Sequence, residues 1–61
     1  MDVPLTEQIR CAERELDNRR RFYQKAVDQG RLELVEAEYE IDAMEAIVKT
    51  LKNVKEPKLF S

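Results

Sequence analysis

The sequence predicts an all-α fold, an antiparallel two-helix hairpin that forms one domain over residues 1–61. Three observations lead to this prediction. The single glycine, Gly30, lies close to the midpoint of the chain, and glycine suits the left-handed position just past a helix end. Apolar residues recur at steps of three and four on both sides of it, which is the period of a helix. The charges of the two halves are complementary when the halves run antiparallel.

The first helix is expected over residues 5–28. Asp2 or Thr6 can cap its start, and Pro4 is tolerated in its first turn. Steps of four and three are typical of the contact seam of a helix pair, and here they connect Leu5, Ile9, Ala12, Leu16, Arg19, Tyr23 and Ala26. We expect Arg19 to lay its aliphatic stem along the core and to send its charged head to the edge.

The turn is expected at residues 29–32 and the second helix at about 33–55, with a tail at 56–61. Leu32 can pack on Ala37 as a hydrophobic staple, and Pro57 disfavours helical geometry at the residue before it. The predicted seam of this helix is Leu34, Ala37, Ile41, Met44, Val48 and Leu51. The alternative is one unbroken helix with Gly30 inside it, at a cost of ~1 kcal/mol relative to alanine. That rod would leave its apolar face without a partner in its own chain.

The charge pattern favours antiparallel pairing. At the turn, the basic end of the first helix would lie beside the acidic start of the second, that is, Arg19, Arg20, Arg21 and Lys25 beside Glu36, Glu38, Glu40 and Asp42. At the open end the signs are reversed, and the first helix would bring Glu7, Glu13 and Glu15 close to Lys49, Lys52 and Lys55. Each exposed ion pair contributes only ~0–1 kcal/mol. The pattern therefore selects the orientation of the helices more than it stabilises them.

The second helix carries apolar residues on a second face as well. A two-helix hairpin can cover only one face of each helix, and a helix that is apolar nearly all round is usually buried on several sides. We therefore expect a homo-oligomer, a dimer that forms a four-helix bundle. The alternative is a different protein on this face, with the chain monomeric and loosely ordered alone. The expected self-association or partner face consists of Cys11, Phe22, Val35, Tyr39, Ala43, Ala46 and Ile47.

Composition excludes several classes of function. The chain has one cysteine and no histidine, so we expect no internal disulfide, no metal site and no cofactor. It also lacks a glycine-rich phosphate loop and a base to activate Cys11, which argues against an enzyme. No apolar run approaches the ~18 residues of a membrane span, and no signal segment opens the chain. The predicted location is the cytoplasm of a bacterial cell.

A nucleic-acid role is the alternative to a protein-binding role. Phe22 is flanked by four basic residues, Arg19, Arg20, Arg21 and Lys25. Such mixtures of basic and aromatic residues occur in sites that bind phosphate and stack bases. Three consecutive residues, however, span about 200° of a helix. The net charge of −2 also argues against a general polyanion binder. Nucleic acid is therefore the disfavoured partner.

The tail adds a second possible contact. Leu59 and Phe60 can fold back over the open end near Leu5 and Ile9, or they can dock on another protein. The Leu59-Phe60 pair near the end of the tail resembles the peptides, typically Gln-Leu-x-Leu-Phe, by which bacterial replication and repair proteins bind the sliding clamp. Only Leu59 and Phe60 match that pattern, since Glu56 and Pro57 stand where Gln and Leu are expected.

Most of residues 5–51 resembles a group of small uncharacterised helical proteins of temperate phages and prophages, often encoded among early or recombination genes. The resemblance rests on Ile9-x-Cys11-x-x-Arg14-Glu15-Leu16, on Arg19 to Tyr23, on Val27-x-x-Gly30-Arg31-Leu32, and on Ala37-x-x-Glu40-Ile41-x-x-Met44-x-Ala46. The resemblance implies a phage or prophage origin and a non-enzymatic accessory role. Our own expectation is a small protein–protein interaction module, and the alternative is a nucleic-acid accessory factor in phage DNA replication or recombination. The resemblance itself implies no particular activity.

Overall fold

The computed structural model describes residues 2–56, which form two α-helices, α1 (Leu5–Asp28) and α2 (Leu34–Lys55). The two helices pack against each other, and this part of the chain contains no strand. Ion pairs join α1 to α2 in antiparallel order, from Arg19–Glu40 near the turn to Glu13–Lys52 toward the open end. The predicted all-α hairpin is therefore confirmed.

The turn is built on the backbone of Gly30. Its φ angle is 71°, the only positive φ among the described residues. The N–H of Gly30 donates to the carbonyl of Val27 at 3.0 Å, and the N–H of Arg31 donates to the carbonyl of Ala26 at 2.8 Å. These two bonds form a Schellman motif, which satisfies carbonyls that a helix end would otherwise leave unpaired. The chain leaves the helix here, so the alternative of one unbroken helix is wrong.

The N-terminus of α1 is capped differently from the prediction. Pro4, and neither Asp2 nor Thr6, occupies the N-cap position, and no side chain caps the helix. The Pro4 carbonyl accepts hydrogen bonds from the N–H groups of Glu7 and Gln8, both at 3.0 Å. Proline already holds φ near the −57° seen at this position. The extended ψ of 147° then places Pro4 outside the helix and Thr6 inside it.

The start of α2 corrects one seam assignment. Glu33 is the N-cap, with an extended backbone and no side-chain hydrogen bond, and its carbonyl accepts from the N–H of Ala37 at 3.0 Å. Leu34 was predicted to lie in the seam, but it is exposed, whereas Leu32 in the turn is half-buried. The reason is that Leu34 is the first helical residue beside the turn, where α1 has already ended.

The core is a thin layer between the helices. Its central cluster is Ala12, Leu16, Met44 and Val48, against which Ile41 and Leu51 pack. Ile9 and Ala37 are also buried, and the six buried residues of the described range are between 4% and 8% exposed. No large side chain in residues 2–56 is fully enclosed. Two helices alone therefore exclude water from their interface only in part.

Candidate interaction surface

The most apolar exposed surface of the hairpin lies along α2. We call it the outer stripe, and it consists of Val35, Tyr39, Ala43, Ala46, Thr50 and Val54, with Ile47 at its edge. Val35 and Tyr39 are 67% and 71% exposed, Val54 is 61% exposed and Ile47 is 48% exposed. Ala46 and Thr50 are exposed as well, and Ala43 is half-buried. Large apolar side chains thus face solvent along most of the helix.

The outer stripe points away from α1. Each residue turns a helix by about 100°, so residues two apart lie on nearly opposite sides. Tyr39 is two residues from Ala37, and Ala46 is two residues from both Met44 and Val48. Ala37, Met44 and Val48 are the buried residues of α2. The helix therefore has an inner face that packs on α1 and an outer face on which the side chains of Val35, Tyr39 and Val54 are exposed.

Thr50 and Val54 lie beyond the face predicted from sequence, which ended at Ile47. The steps along the outer stripe are four, four, three, four and four residues, and the last two lead to Thr50 and Val54. Continuing the helical spacing past Ala46 is the signal that finds them.

The two α1 residues of the predicted face lie apart from the outer stripe. Phe22 is 67% exposed and Cys11 is an exposed free thiol. Phe22 is one helical turn from Arg19, whose ion pair with Glu40 spans the two helices on that side. A charged edge therefore stands between Phe22 and α2. The seven predicted residues form five positions along α2 and two separate positions on α1.

Arg19 forms the best-connected polar cluster of the hairpin. Its side chain is only 26% exposed. Its Nε donates to Glu15 at 3.2 Å, and its Nη1 donates both to the Glu40 carboxylate and to the Glu40 main-chain carbonyl at 3.2 Å. The stem lies in the seam and the head reaches the edge, so the prediction for this residue is confirmed.

The opposite side of the seam is an open groove of about 1100 Å³. Two ion pairs bridge it: Arg20 donates to Glu45 at 3.0 Å, and Lys52 lies 2.8 Å from Glu13. The predicted approach of the two helices' charges is therefore observed for Glu13 and Lys52, whereas Glu45 lies outside the acidic segment predicted to face Arg20. Four of the charged side chains that line the groove are thus engaged in ion pairs across it.

Three of the four basic residues predicted for nucleic-acid contact line one depression with Phe22, namely Arg20, Arg21 and Lys25, and Arg19 is not among its lining residues. Arg19 and Arg20 reach in different directions, to Glu40 and to Glu45. Arg21 donates to Asn18 Oδ1 at 3.4 Å on the outer side of α1. Together with Arg20, Lys25 and Phe22 it lines the depression there. Two of the four candidate cations are thus engaged with carboxylates of α2.

Three further results concern the remaining predictions. Leu59 and Phe60, the candidate docking residues of the tail, lie outside the described range. Within residues 2–56, no group of three or more metal-ligating side chains is placed to hold an ion. Neither helix is long and apolar enough to cross a membrane, in the part of the chain that the structure describes.

Comparison with protein-family models, with curated protein sequences and with solved structures finds no match to the chain. The class of molecule is therefore defined by its geometry alone. It is an antiparallel helical hairpin whose second helix has two apolar faces, one of them covered.

Proposed function

We propose that this chain is a non-enzymatic protein–protein interaction module that dimerises through the outer stripe of α2. The observation that carries the proposal is the exposure of Val35, Tyr39 and Val54 along one face of a folded helix. In the assembly the two α2 helices lie innermost and the two α1 helices outermost, which makes a bundle of four helices. The resemblance to small phage and prophage proteins supports an accessory role in that setting.

The asymmetry between the two helices points to α2 as the contact. α1 is strongly amphipathic, with charged residues opposite its buried face, whereas α2 is only weakly amphipathic. An amphipathic helix needs one apolar neighbour, and a helix with two apolar faces needs two. α1 supplies one neighbour for α2, and the dimer supplies the other.

The experiment is sedimentation of the wild type, Tyr39→Asp and Phe22→Asp at micromolar concentration, with circular dichroism to check helix content. Both substitutions place a carboxylate at an exposed aromatic position, but only Tyr39 lies on the outer stripe. We expect a wild-type dimer, a helical monomer for Tyr39→Asp and a dimer for Phe22→Asp. A compact, cooperatively folded wild-type monomer would refute the proposal.

The second candidate, a nucleic-acid accessory factor in phage DNA replication or recombination, is supported by one observation. Phe22 is 67% exposed between Arg21 and Lys25 on α1. Its test is the binding of a labelled single-stranded oligonucleotide as a function of salt, since phosphate contacts weaken steeply as salt rises. Binding that is lost in an Arg21→Ala, Lys25→Ala variant would support this candidate. Absence of binding at low salt removes it.

A further inference from the structure

We infer that the partner of the outer stripe is a second copy of α2 in antiparallel orientation, with the two-fold axis between Ala43 and Ala46. The inference rests on the proposed dimerisation and adds its orientation and register. In this arrangement Val35 lies at the level of Val54 of the second copy, Tyr39 at the level of Thr50, and Ala43 at the level of Ala46.

The first argument is the symmetry of the outer stripe. A two-fold interface uses the same surface on both copies, so the surface must be complementary to itself. The steps along the stripe, four, four, three, four and four, read the same in both directions. The residues nearly do so as well, with valine at both ends and alanine at both central positions. In an antiparallel pair the first end of the stripe on one copy lies beside the last end on the other, and the two central positions lie beside each other.

The second argument is steric. Ala43 and Ala46 place the smallest side chains at the centre of the stripe, where two helices that cross would approach most closely. Tyr39, the largest residue of the stripe, falls opposite Thr50, which is small. A parallel pair in register would instead set Tyr39 against Tyr39 and the two threonines against each other, leaving bulk at one level and a gap at the other.

The third argument is charge. Residues 34–45 of α2 contain five carboxylates and no basic side chain, and residues 46–55 contain three lysines and no carboxylate. Antiparallel pairing places the acidic half of one α2 beside the basic half of the other, whereas parallel pairing places like charges together. Like-charge contact across an interface disfavours the wrong arrangement. The charges therefore select the antiparallel orientation.

One ion pair follows from this register. Asp42 and Lys49 are seven residues apart, so they lie on the same edge of the outer stripe. Both are exposed, and within residues 2–56 neither forms an ion pair with α1. In the antiparallel dimer Asp42 of each copy approaches Lys49 of the other. The two-fold axis forms this contact twice.

Disulfide trapping tests the register. Two variants are made in a Cys11→Ser background, one with Tyr39→Cys and one with Thr50→Cys, and each is oxidised alone and after mixing. The antiparallel register predicts a disulfide-linked dimer in the mixture and little in either sample alone. Residues 39 of the two copies would lie about 16 Å apart along the helix axis, beyond the reach of a disulfide.

Charge reversal provides the second measurement. Asp42→Lys or Lys49→Asp alone is expected to weaken the dimer roughly tenfold, and the double variant to restore its affinity. If sedimentation shows a dimer but disulfides form in the single-variant samples, or form in no sample, the proposed register is wrong. Sedimentation that shows only monomer would overturn the proposed function itself, so the two failures are distinguishable.

Discussion

At Gly30 the backbone has a φ angle of 71°, and a Cβ placed there would meet no heavy atom within 4 Å. A side chain at this position would therefore not clash with its surroundings, and the only cost of adding one is the left-handed backbone conformation. We expect Gly30→Ala to lower the free energy of unfolding by about 1–2 kcal/mol. Gly30→Asn is the control and should cost less, because asparagine tolerates this conformation. Urea unfolding at fixed concentration measures both, and a neutral Gly30→Ala would contradict the prediction.

Arg19 and Arg20 are neighbours in sequence but differ in what they contact. The Arg19 head donates to a carbonyl as well as to two carboxylates, while the Arg20 side chain is 51% exposed in its pairs with Glu45 and Asp17. We expect Arg19→Met to lower the free energy of unfolding by ~1 kcal/mol and Arg20→Met by less than ~0.5 kcal/mol. Equal effects in denaturant unfolding would show that the partly buried contacts of Arg19 contribute no more to the free energy of unfolding than the exposed ion pairs of Arg20.

At the scale of the helices, the two faces of α2 differ in what a charge does to them. Met44 belongs to the core cluster and is 7% exposed. Met44→Asp would bury an unpaired carboxylate between the helices, at a cost of several kcal/mol, and the hairpin has little stability to lose. Circular dichroism is expected to show loss of most of the helix. The matched control is Tyr39→Asp, which makes the same change on the outer face and should keep its helix content.

The start of α2 can be improved. Glu33 is the N-cap and makes no side-chain cap bond, although a serine hydroxyl at this position can accept from the N–H groups of the first turn. We expect Glu33→Ser to raise the free energy of unfolding by about 0.5–1 kcal/mol. Glu38→Ser, a similar change at an exposed position inside the helix, serves as the control and should not stabilise. If both variants behave alike in urea unfolding, the gain does not come from the cap.

At the scale of the whole molecule, folding and association should be coupled. The interface of one hairpin is thin, and a dimer is favoured by mass action, so the melting temperature must rise with protein concentration. Over a hundredfold range we expect an increase of roughly 5 to 10 °C for the wild type. The Tyr39→Asp monomer should melt at a temperature independent of concentration. Calorimetry or circular dichroism at several concentrations decides, and a constant wild-type melting temperature would count against the dimer.

The sequence alone determined the hairpin and its core. Gly30 marks the turn because only a residue without a Cβ takes its φ angle at no steric cost. The helical spacing of apolar residues identified Leu16, Met44 and Val48 as core positions, since the side chains that repeat every three or four residues share a face. The placement of Arg19, with its aliphatic stem in the seam and its charged head at the edge, was predictable because the same helical spacing puts this residue on the core face.

The tertiary structure decided the ends of the helices, the pairing of charges and the extent of the outer stripe. Leu34 leaves the seam because α1 has ended where α2 begins, a fact of the pairing and not of the local sequence. Arg20 pairs with Glu45, which lies outside the acidic segment predicted to face it, because packing of the core sets how far one helix slides along the other. The spacing of apolar residues in the sequence assigns each residue to a face of its own helix. Which residues of the other helix contact that face depends on how the two helices pack, and this is set by the tertiary structure.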